Sequence, residues 1–275
     1  RGLELLQAAE ESGANYLFEA SVGGGIPIIR PLCQCLAANY IEGIAGILNG
    51  TTNFILTMMI EKGMSFDEAL KIAQEKGYAE KDPTADVEGH DACRKVCILA
   101  SLAFGKHVYP NQVETEGITN ITLEDVSYIE NAGGVIKLLG QIKYINDNEI
   151  AAFVSPAVVY NGSQLASVKD VFNAILVRGD AVGDVCFYGP GAGKLPTASA
   201  VVADIIDCAK HSERKKIFGW GAGNEDYVVD YKERIEMPFY VRAKATPAEI
   251  NAKFSDVKFL SRKGQPSDEV AFITD

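Results

Sequence analysis

The sequence has few residues of the kinds that build metal sites, and it has no apolar stretch long enough to cross a membrane. It holds three histidines and six cysteines in 275 residues, and no cysteine pair has the Cys-x-x-Cys spacing of a zinc site. The longest mostly apolar stretch, 96–104, is far shorter than the about 20 residues that span a bilayer. No secretory signal peptide precedes the first helical pattern. We therefore expect a cytoplasmic protein with reduced thiols, and we expect no membrane partner.

Positive charge is also scarce. The chain has 26 lysines and arginines against 37 aspartates and glutamates, which gives a formal net charge of -11. Because DNA, RNA and anionic membranes are bound through basic surfaces, this balance argues against a nucleic-acid partner. A hydrophobic content of 47% and a charged content of 23% are typical of a globular protein with a buried core. The length fits one large domain or two modest ones.

Apolar periodicity and capping residues predict a mixed fold, α/β (α+β), in which helices cover a mixed β-sheet. Helices are predicted at 3–13, 27–38, 50–62, 66–76, 90–104 and 196–210, and strands at 16–22, 40–48, 135–145, 149–159, 171–178 and 182–188. Asn49 is predicted to cap the helix at 50–62, and Ser65 with Glu68 forms a capping box for the next helix. After Tyr109 the pattern changes to β. The chain divides into a main domain at 1–210, a linker at 211–234 and a small β-α-β unit at 235–275.

Two glycine clusters each follow a predicted strand and precede a predicted helix. The first, Gly23 to Gly25, lacks the third glycine of a dinucleotide-binding loop because Ile28 stands there. The second, at 189–194, is not a phosphate-binding P-loop because Leu195 replaces the required serine or threonine. Each cluster is either a tight turn or a site where bare backbone N–H groups approach a phosphate or carboxylate.

Small polar residues fill the predicted turn at 49–53, which reads Asn-Gly-Thr-Thr-Asn. Simple capping of the following helix would explain them. The alternative is that their amide and hydroxyl groups line a polar pocket.

An acidic segment leads into the helix predicted at 90–104. Five acidic residues fall within 80–91, and Lys95 lies four residues after Asp91, so the two side chains share one helix face. An exposed ion pair of this kind would contribute little to stability. The helix beyond Lys95 is apolar on nearly all sides, however, which predicts a partly buried lysine suited to acid–base chemistry.

These segments together closely resemble the homoserine dehydrogenase family. The matching stretches are EASVGGGIPII at 19–29, GILNGTTNFIL at 46–56, AQEKGYAE at 73–80, DPTAD at 82–86, GHDACRK at 89–95 and GPGAG at 189–193 with Pro196 and Thr197. They follow one another in order from about residue 3 to residue 208. The resemblance implies NAD(P)-dependent interconversion of L-homoserine and L-aspartate 4-semialdehyde, on the route to threonine, methionine and isoleucine.

The resemblance also implies a role for each matching residue. Lys95 would be the acid–base group, oriented by Asp91. The substrate would be bound by Glu80, Asp86, Asp91, Gly50 and Thr51, and the cofactor would contact Thr51, Gly191 and Gly193. Glu19, with the backbone carbonyls of Val22, Gly24 and Ile26, would hold a monovalent cation, Na⁺ or K⁺.

Further expectations concern the rest of the molecule. Residues 1–210 would form the catalytic and dimerisation domain, with a homodimer or higher homo-oligomer as the assembly. Met237 to Ala243 resembles the first strand of an ACT regulatory domain, so 235–275 would be a partial ACT-like (ferredoxin-like) unit. The family's cofactor domain and a second lysine are expected upstream, so this chain alone should not turn over substrate. The alternatives are a non-catalytic regulatory or assembly module of the same fold, and a dehydrogenase for another amino-acid semialdehyde.

Overall fold

The computed structural model describes residues 2–213 and 216–274. The helices are α1 (Gly2–Ser12), α2 (Gly50–Lys62), α3 (Phe66–Glu75), α4 (Thr84–Val87), α5 (His90–Phe104), α6 (Leu123–Asn131), α7 (Lys194–Lys210), α8 (Tyr231–Arg234) and α9 (Pro247–Asn251). The strands are β1 (Ile41–Ile47), β2 (Glu114–Thr115), β3 (Gly134–Asn146), β4 (Glu149–Tyr160), β5 (Phe172–Gly179), β6 (Gly183–Pro190), β7 (Tyr240–Lys244), β8 (Val257–Leu260) and β9 (Glu269–Thr274).

Six strands form the main sheet in the order β2-β4-β3-β1-β5-β6. The short β2 runs parallel to β4, and the other neighbours are antiparallel, so the sheet is mixed as predicted. Helices α2, α5 and α6 pack on one face, where Ile44, Ile55 and Leu99 belong to the largest apolar core. The opposite face has a smaller core that includes Ile47 and Leu139 and packs on the 3₁₀ segment Gln164–Ser167.

The helices with strong local signals are the ones that the sequence predicts well. Asn49 accepts a hydrogen bond from the N–H of Thr52 at 2.9 Å and caps α2. The capping box of Ser65 and Glu68 begins α3, and α5 spans the residues predicted for it. The starts of α2 and α3 hold because each cap satisfies orphan N–H groups with residues close in sequence, whereas Gly89 before α5 makes no side-chain cap.

The prediction of a strand at 16–22 is wrong, and the prediction of a helix at 27–38 is correct only for 29–35. Residues 16–18 have no regular structure and Glu19–Ser21 forms a 3₁₀ turn rather than a strand. The predicted helix begins only at Ile29 and contains a π-helical stretch at Pro31–Cys35, in which the N–H of Leu36 donates to the carbonyl of Pro31 at 2.9 Å. The bond from Leu36 to Pro31 spans five residues, which is the π-helical pattern, and Pro31 is tolerated in the first turn because its missing N–H would have no helical acceptor.

Besides α8, which lies in the predicted linker, two helices were not predicted. The first, α4, lies in the acidic segment that leads into α5 and carries Asp86. The second, α6, lies in the region assigned to β structure. The N–H of Thr122 donates to the carboxylate of Asp125 at 3.0 Å, so the Thr-x-x-Asp spacing was a capping signal that could have revealed this helix.

The described part of the predicted linker, 211–213 and 216–234, includes residues that pack on the main sheet or its helices. The indole N–H of Trp220 donates to Nδ1 of His107 at 2.9 Å. The ring of Tyr231 stacks on Phe153 with 3.9 Å between centroids. Arg214 and Lys215 lie outside the described residues. The domain boundaries themselves stay a prediction.

The C-terminal segment forms a second, antiparallel sheet in the order β7-β9-β8, with α9 between β7 and β8. Charged side chains connect this sheet to α6. The guanidinium of Arg242 lies 2.8 Å from the Asp125 carboxylate and 3.1 Å from that of Glu269, which also accepts a hydrogen bond from Tyr128 at 2.9 Å. A second unit therefore exists where the sequence predicts it, as β-α-β-β.

Within 2–213 and 216–274, no helix is long and apolar enough to span a membrane. Each of the six cysteines is a free thiol.

One lysine is buried inside the main sheet. Lys137 on β3 is 2% exposed. Its ammonium group donates to Oδ1 of Asn53 at 2.9 Å and to the carbonyl of Val168 at 2.5 Å. Burial, reinforced by the charge of Lys169, lowers the pKa of Lys137 from 10.5 to about 8, although Glu61 and Asp170 partly oppose the shift.

We expect the free energy of unfolding to rise as the pH is raised from about 8 to 10.5. In that range the unfolded chain keeps the Lys137 proton and the folded chain releases it, so folding becomes more favourable. Each pKa unit corresponds to about 1.4 kcal/mol, so the rise is of the order of 3 kcal/mol. Urea unfolding between pH 7.5 and 10.5 measures it, with Lys137→Met as the comparison. An equal slope in the variant would contradict the assignment.

Candidate active site

The turn at the end of β1 brings together residues from three helices. The Asn49 side chain caps α2 through its oxygen, and its Nδ2 donates to Asp86 of α4 at 2.7 Å and to Asp91 of α5 at 2.9 Å. Asn49 is 6% exposed. Helix capping and a polar pocket, the two alternatives for this turn, are therefore not exclusive. The capping residue Asn49 also binds Asp86 and Asp91, the two carboxylates that are predicted to bind the substrate. Asn49 was named as a cap alone.

Lys95 is held at the same place. Its ammonium group donates to Oδ2 of Asp91 at 2.7 Å and to the carbonyl of Leu48, the last residue before Asn49, at 2.8 Å. The side chain of Lys95 is 18% exposed and that of Asp91 is 32% exposed. An ammonium group has three N–H donors, so these two bonds fix the direction of the third. The pair is a partly buried, oriented ion pair rather than a freely solvated one.

Asp86 lies beside this ion pair. Burial is the main reason that the pKa of its carboxyl is raised, and the negative charge of Asp91 adds to the effect. The hydrogen bond from Asn49 and the charge of Lys95 work in the opposite direction. A cation bound between Asp86 and Asp91 would relieve their mutual repulsion, so the geometry suits an ammonium group.

Thr51 and Glu80 differ in how they join the cluster. The hydroxyl of Thr51 donates to the carbonyl of Tyr78 at 2.8 Å, which ties α2 to the segment before α4. Tyr78, whose ring meets Phe54 edge-on with 5.1 Å between centroids, was not singled out from the sequence. The Glu80 side chain is exposed, and its backbone carbonyl accepts from Gln74 at 3.1 Å. Among the described residues no hydrogen bond links the Glu80 carboxylate to Lys95, Asp91 or Asp86.

The two glycine clusters, separated by more than 160 residues, contact each other. The N–H of Gly25 donates to the carbonyl of Pro190 at 3.1 Å. A side chain at Gly24, where φ is +55°, would place its Cβ 2.3 Å from the carbonyl oxygen of Gly191. Glycine is therefore required at Gly24 both by the conformation and by the close approach of the second turn.

The register of the main sheet places these turns at the same ends of the strands as the Lys95 site. Ile47, the last residue of β1, pairs with Ala174, and the adjacent Asn173 pairs with Gly189. A Cβ at Gly191 would lie 2.1 Å from Nδ2 of Asn173, so the asparagine amide lies directly against the glycine turn. Asn173 is 1% exposed, and its Oδ1 has no hydrogen-bond partner among the described residues. No sequence pattern singled this residue out.

Gly50 is close-packed too. A Cβ at this position would lie 2.7 Å from the carbonyl of Val171, just before β5. The first residue of α2 thus touches the segment that leads to Asn173. Gly50, Thr51, Asp86, Asp91 and Lys95 lie around one polar turn, while Gly191 and Gly193 lie in the adjacent loop before α7.

The residues predicted to hold a cation lie around the first glycine turn. The Glu19 carboxylate is 5% exposed and accepts backbone hydrogen bonds from Ile28 at 2.7 Å, Ile29 at 2.8 Å and Arg30 at 2.9 Å. It therefore caps the helical segment that starts at Ile29. Within 2–213 and 216–274 there is no group of three or more His, Cys, Asp or Glu residues that could hold a metal ion.

Backbone carbonyls are the remaining ligands for a cation there. No N–H or O–H group of the described residues donates to the carbonyl oxygens of Val22, Gly24 or Ile26. Oxygen ligands suit hard cations, so the loop fits a cation bound mainly through its backbone.

Comparison with known proteins identifies the family. The homoserine dehydrogenase family model matches residues 27–206. The homoserine dehydrogenase of Synechocystis is 50% identical over 209 residues, which are 75% of this chain and 48% of that protein. The Corynebacterium glutamicum homoserine dehydrogenase is 45% identical over 226 residues, which are 81% of this chain and 50% of that protein. The chain spans about half the length of the curated relatives it matches.

Solved structures agree with the sequence relatives. A homoserine dehydrogenase from Thiobacillus denitrificans superimposes with a TM-score of 0.85 at 39% identity, covering 99% of this chain and 65% of that one. The Staphylococcus aureus enzyme at pH 7.5 gives a TM-score of 0.77 at 35% identity, with coverage of 99% and 65%. A hyperthermophilic archaeal homoserine dehydrogenase mutant in complex with NADPH gives 0.63 at 32% identity, with coverage of 75% and 59%. The chain belongs to the homoserine dehydrogenase family.

Proposed function

We propose that this chain carries the substrate site of an NAD(P)-dependent dehydrogenase that interconverts L-homoserine and L-aspartate 4-semialdehyde. The observation that carries the proposal is Lys95, which is fixed by Asp91 and by the Leu48 carbonyl with one N–H left to direct at a substrate. Family membership gives the reaction, and the site provides groups that suit it. The enzyme would act in the cytoplasm, in agreement with its free thiols.

The reaction needs a proton at the substrate oxygen. In the direction of aldehyde reduction, Lys95 gives a proton to the oxygen as it becomes an alkoxide, and in the direction of alcohol oxidation it takes that proton back. Asp91 keeps the ammonium in one orientation and Leu48 adds a second anchor, so the lysine is positioned before the substrate arrives. The nicotinamide cofactor, when bound, supplies or accepts the hydride.

The carboxylates give the site its preference for an amino acid. Asp86 and Asp91, both bonded to Asn49, offer negative charge to the substrate ammonium. We assign Glu80 to the rim of the same site, since its side chain is exposed and free to turn toward a ligand. Gly50 and Thr51 bring the helix start close to the bound substrate.

NAD(P) would lie against the loop before α7. The backbone of Gly191 and Gly193 at the start of α7 would approach the cofactor, and Thr51 at the start of α2 would complete the contact. The buried amide of Asn173 lies directly under Gly191. We therefore add Asn173 as a positioning residue, which would support the turn against which the nicotinamide side of the cofactor lies. A monovalent cation, Na⁺ or K⁺, would be held by the backbone of Val22, Gly24 and Ile26 and would fix the first glycine turn.

Two apolar surfaces indicate contacts with more protein. On α7, Leu195 is 83% exposed and Ile205 is 61% exposed, and we assign this helix face to a cofactor-binding domain. The sheet face that includes Ala45, Val135 and Leu176 is only partly covered, and we assign it to a second copy of the chain in a homodimer. The unit at 235–275 is assigned as ACT-like.

Replacing Lys95 tests the proposal in the longer enzyme that contains this chain. We expect Lys95→Ala to lower kcat for homoserine oxidation by ~10²-fold or more, because the proton transfer loses its positioned group. NAD(P)H absorbance measures the rate, and Arg94→Ala, at the exposed neighbouring position, is the matched control. Wild-type kcat in Lys95→Ala would refute the acid–base role. An inactive wild-type enzyme would favour the regulatory module instead.

Asn173 should matter for cofactor binding. We expect Asn173→Ala to raise the Kd for NAD(P)H by ~10-fold, since the Gly191 turn would lose the buried amide that it packs against. Titration of NAD(P)H fluorescence measures binding without turnover, and Asn148→Ala, on the exposed turn between β3 and β4, is the control. An unchanged Kd, with the variant folded as judged by circular dichroism, would remove Asn173 from the cofactor site.

A further inference from the structure

A cavity of about 380 Å³ lies on the side of α2 remote from Lys95's helix, between α2, the start of β3 and the segment at 164–169. Its walls carry Lys137 from the sheet, Glu61 from α2 and Lys169 from the segment that follows Gln164–Ser167. Glu130 at the end of α6 and the exposed Ser167 also line it. None of these residues takes part in the proposed dehydrogenase reaction.

Lys137 is the unusual group in this cavity, because its charge has no bonded counter-charge. Both acceptors of its ammonium group, Asn53 Oδ1 and the Val168 carbonyl, are neutral oxygens. Buried cations in proteins are normally paired with an anion. The cavity wall also carries the acidic residue Glu61. Its carboxylate forms a salt bridge with Lys169 at 2.6 Å and not with Lys137. Lys137 therefore has a third N–H donor and a positive charge to which no acidic group is bonded, although Glu61 and Asp170 lie near enough to favour its charged form.

We infer that this cavity is a binding site for a small carboxylate, which would accept a hydrogen bond from the Lys137 ammonium group. The volume is in the range of small-molecule sites and leaves room for an acid of a few carbon atoms. The Glu61–Lys169 pair at the wall is neutral as a whole, and the exposed Glu130 is solvated, so neither cancels the charge of Lys137. The assignment is independent of the dehydrogenase function and goes beyond it.

The site would be connected to the active-site edge through one side chain. Asn53, which accepts from Lys137, donates from its own amide to the carbonyls of Val168 at 3.2 Å, Asp170 at 3.1 Å and Phe172 at 3.1 Å. Phe172 is the first residue of β5 and immediately precedes Asn173. A carboxylate on Lys137 would thus bind next to the bonds that hold the start of β5.

The carboxylate has two possible sources, a free small molecule or an acidic side chain of a second copy of the chain. The cavity shares Val135 and Ala166 with the sheet face assigned to the homodimer. We assign the site to a free carboxylate, because an open cavity of this size lies beside Lys137 within one chain. The oligomeric state of the variants distinguishes a free carboxylate from an acidic side chain of a second copy.

Thermal unfolding of the 275-residue chain tests the site, with acetate and propionate as the probes and chloride at equal ionic strength as the reference. We expect a saturable rise in Tm of about 3 to 5 °C at a hundredfold excess over Kd. The rise should be lost in Lys137→Met. It should also be lost in Ser167→Phe, which blocks the cavity mouth and leaves the hydrogen bonds of Lys137 in place. Lys71→Met, which removes an exposed lysine from α3 outside the cavity, should keep the full response.

Each result decides between the alternatives. No saturable rise in the wild-type chain would overturn the proposal, and so would an equal rise in Ser167→Phe. If Lys137→Met fails to fold, Ser167→Phe alone decides. Absence of a carboxylate effect together with a loss of dimer in Lys137→Met, measured by sedimentation velocity, would assign Lys137 to a contact between copies and would also overturn the free-ligand site.

Discussion

The side-chain amide of Asn49 is the contact on which the candidate site depends. One end of this amide caps α2, and the other binds Asp86 and Asp91, which belong to two further helices. A single buried residue thereby sets the position of both carboxylates relative to the end of β1. Lys95 then bonds to Asp91 and to Leu48, so the lysine is tied to the same turn from two sides. The proposed acid–base role depends on this constraint, because a proton donor needs a fixed direction as much as a suitable charge.

The second constraint is the close approach of backbones at the edge of the main sheet. The glycine turns at 23–25 and 189–193 touch, and Gly50 touches the segment before β5. A side chain at Gly24, Gly191 or Gly50 would overlap backbone or amide atoms of its neighbour. These glycines therefore do more than form turns. They let chain segments from distant parts of the sequence pack against one another near the turn that holds the lysine.

The parts of this arrangement that were predictable are those whose cause lies nearby in sequence. The caps Asn49 and Ser65 begin their helices as predicted, and the four-residue spacing of Asp91 and Lys95 gives the predicted ion pair. The failure at 16–22 has a distant cause. Glu19 is buried because its carboxylate caps a helix nine to eleven residues later in the chain, and Asp204, far away in sequence, accepts the hydrogen bond from its N–H. A pattern of alternating residues around Glu19 could not reveal that requirement.

The same distinction separates the two lysines. Lys95 was recognised because its partner is four residues away on the same helix and its motif matches a known family. Lys137 lies in the middle of an apolar strand, where its buried neighbours Ile136 and Leu138 predict only a core position. Its acceptors, Asn53 and Val168, come from α2 and from the segment before β5, and only the folded sheet brings them together. A charge that is buried without a counter-ion destabilises the fold, and this chain keeps one next to an open cavity. A ligand that supplies the missing negative charge gives that position a physical reason, which packing alone does not provide.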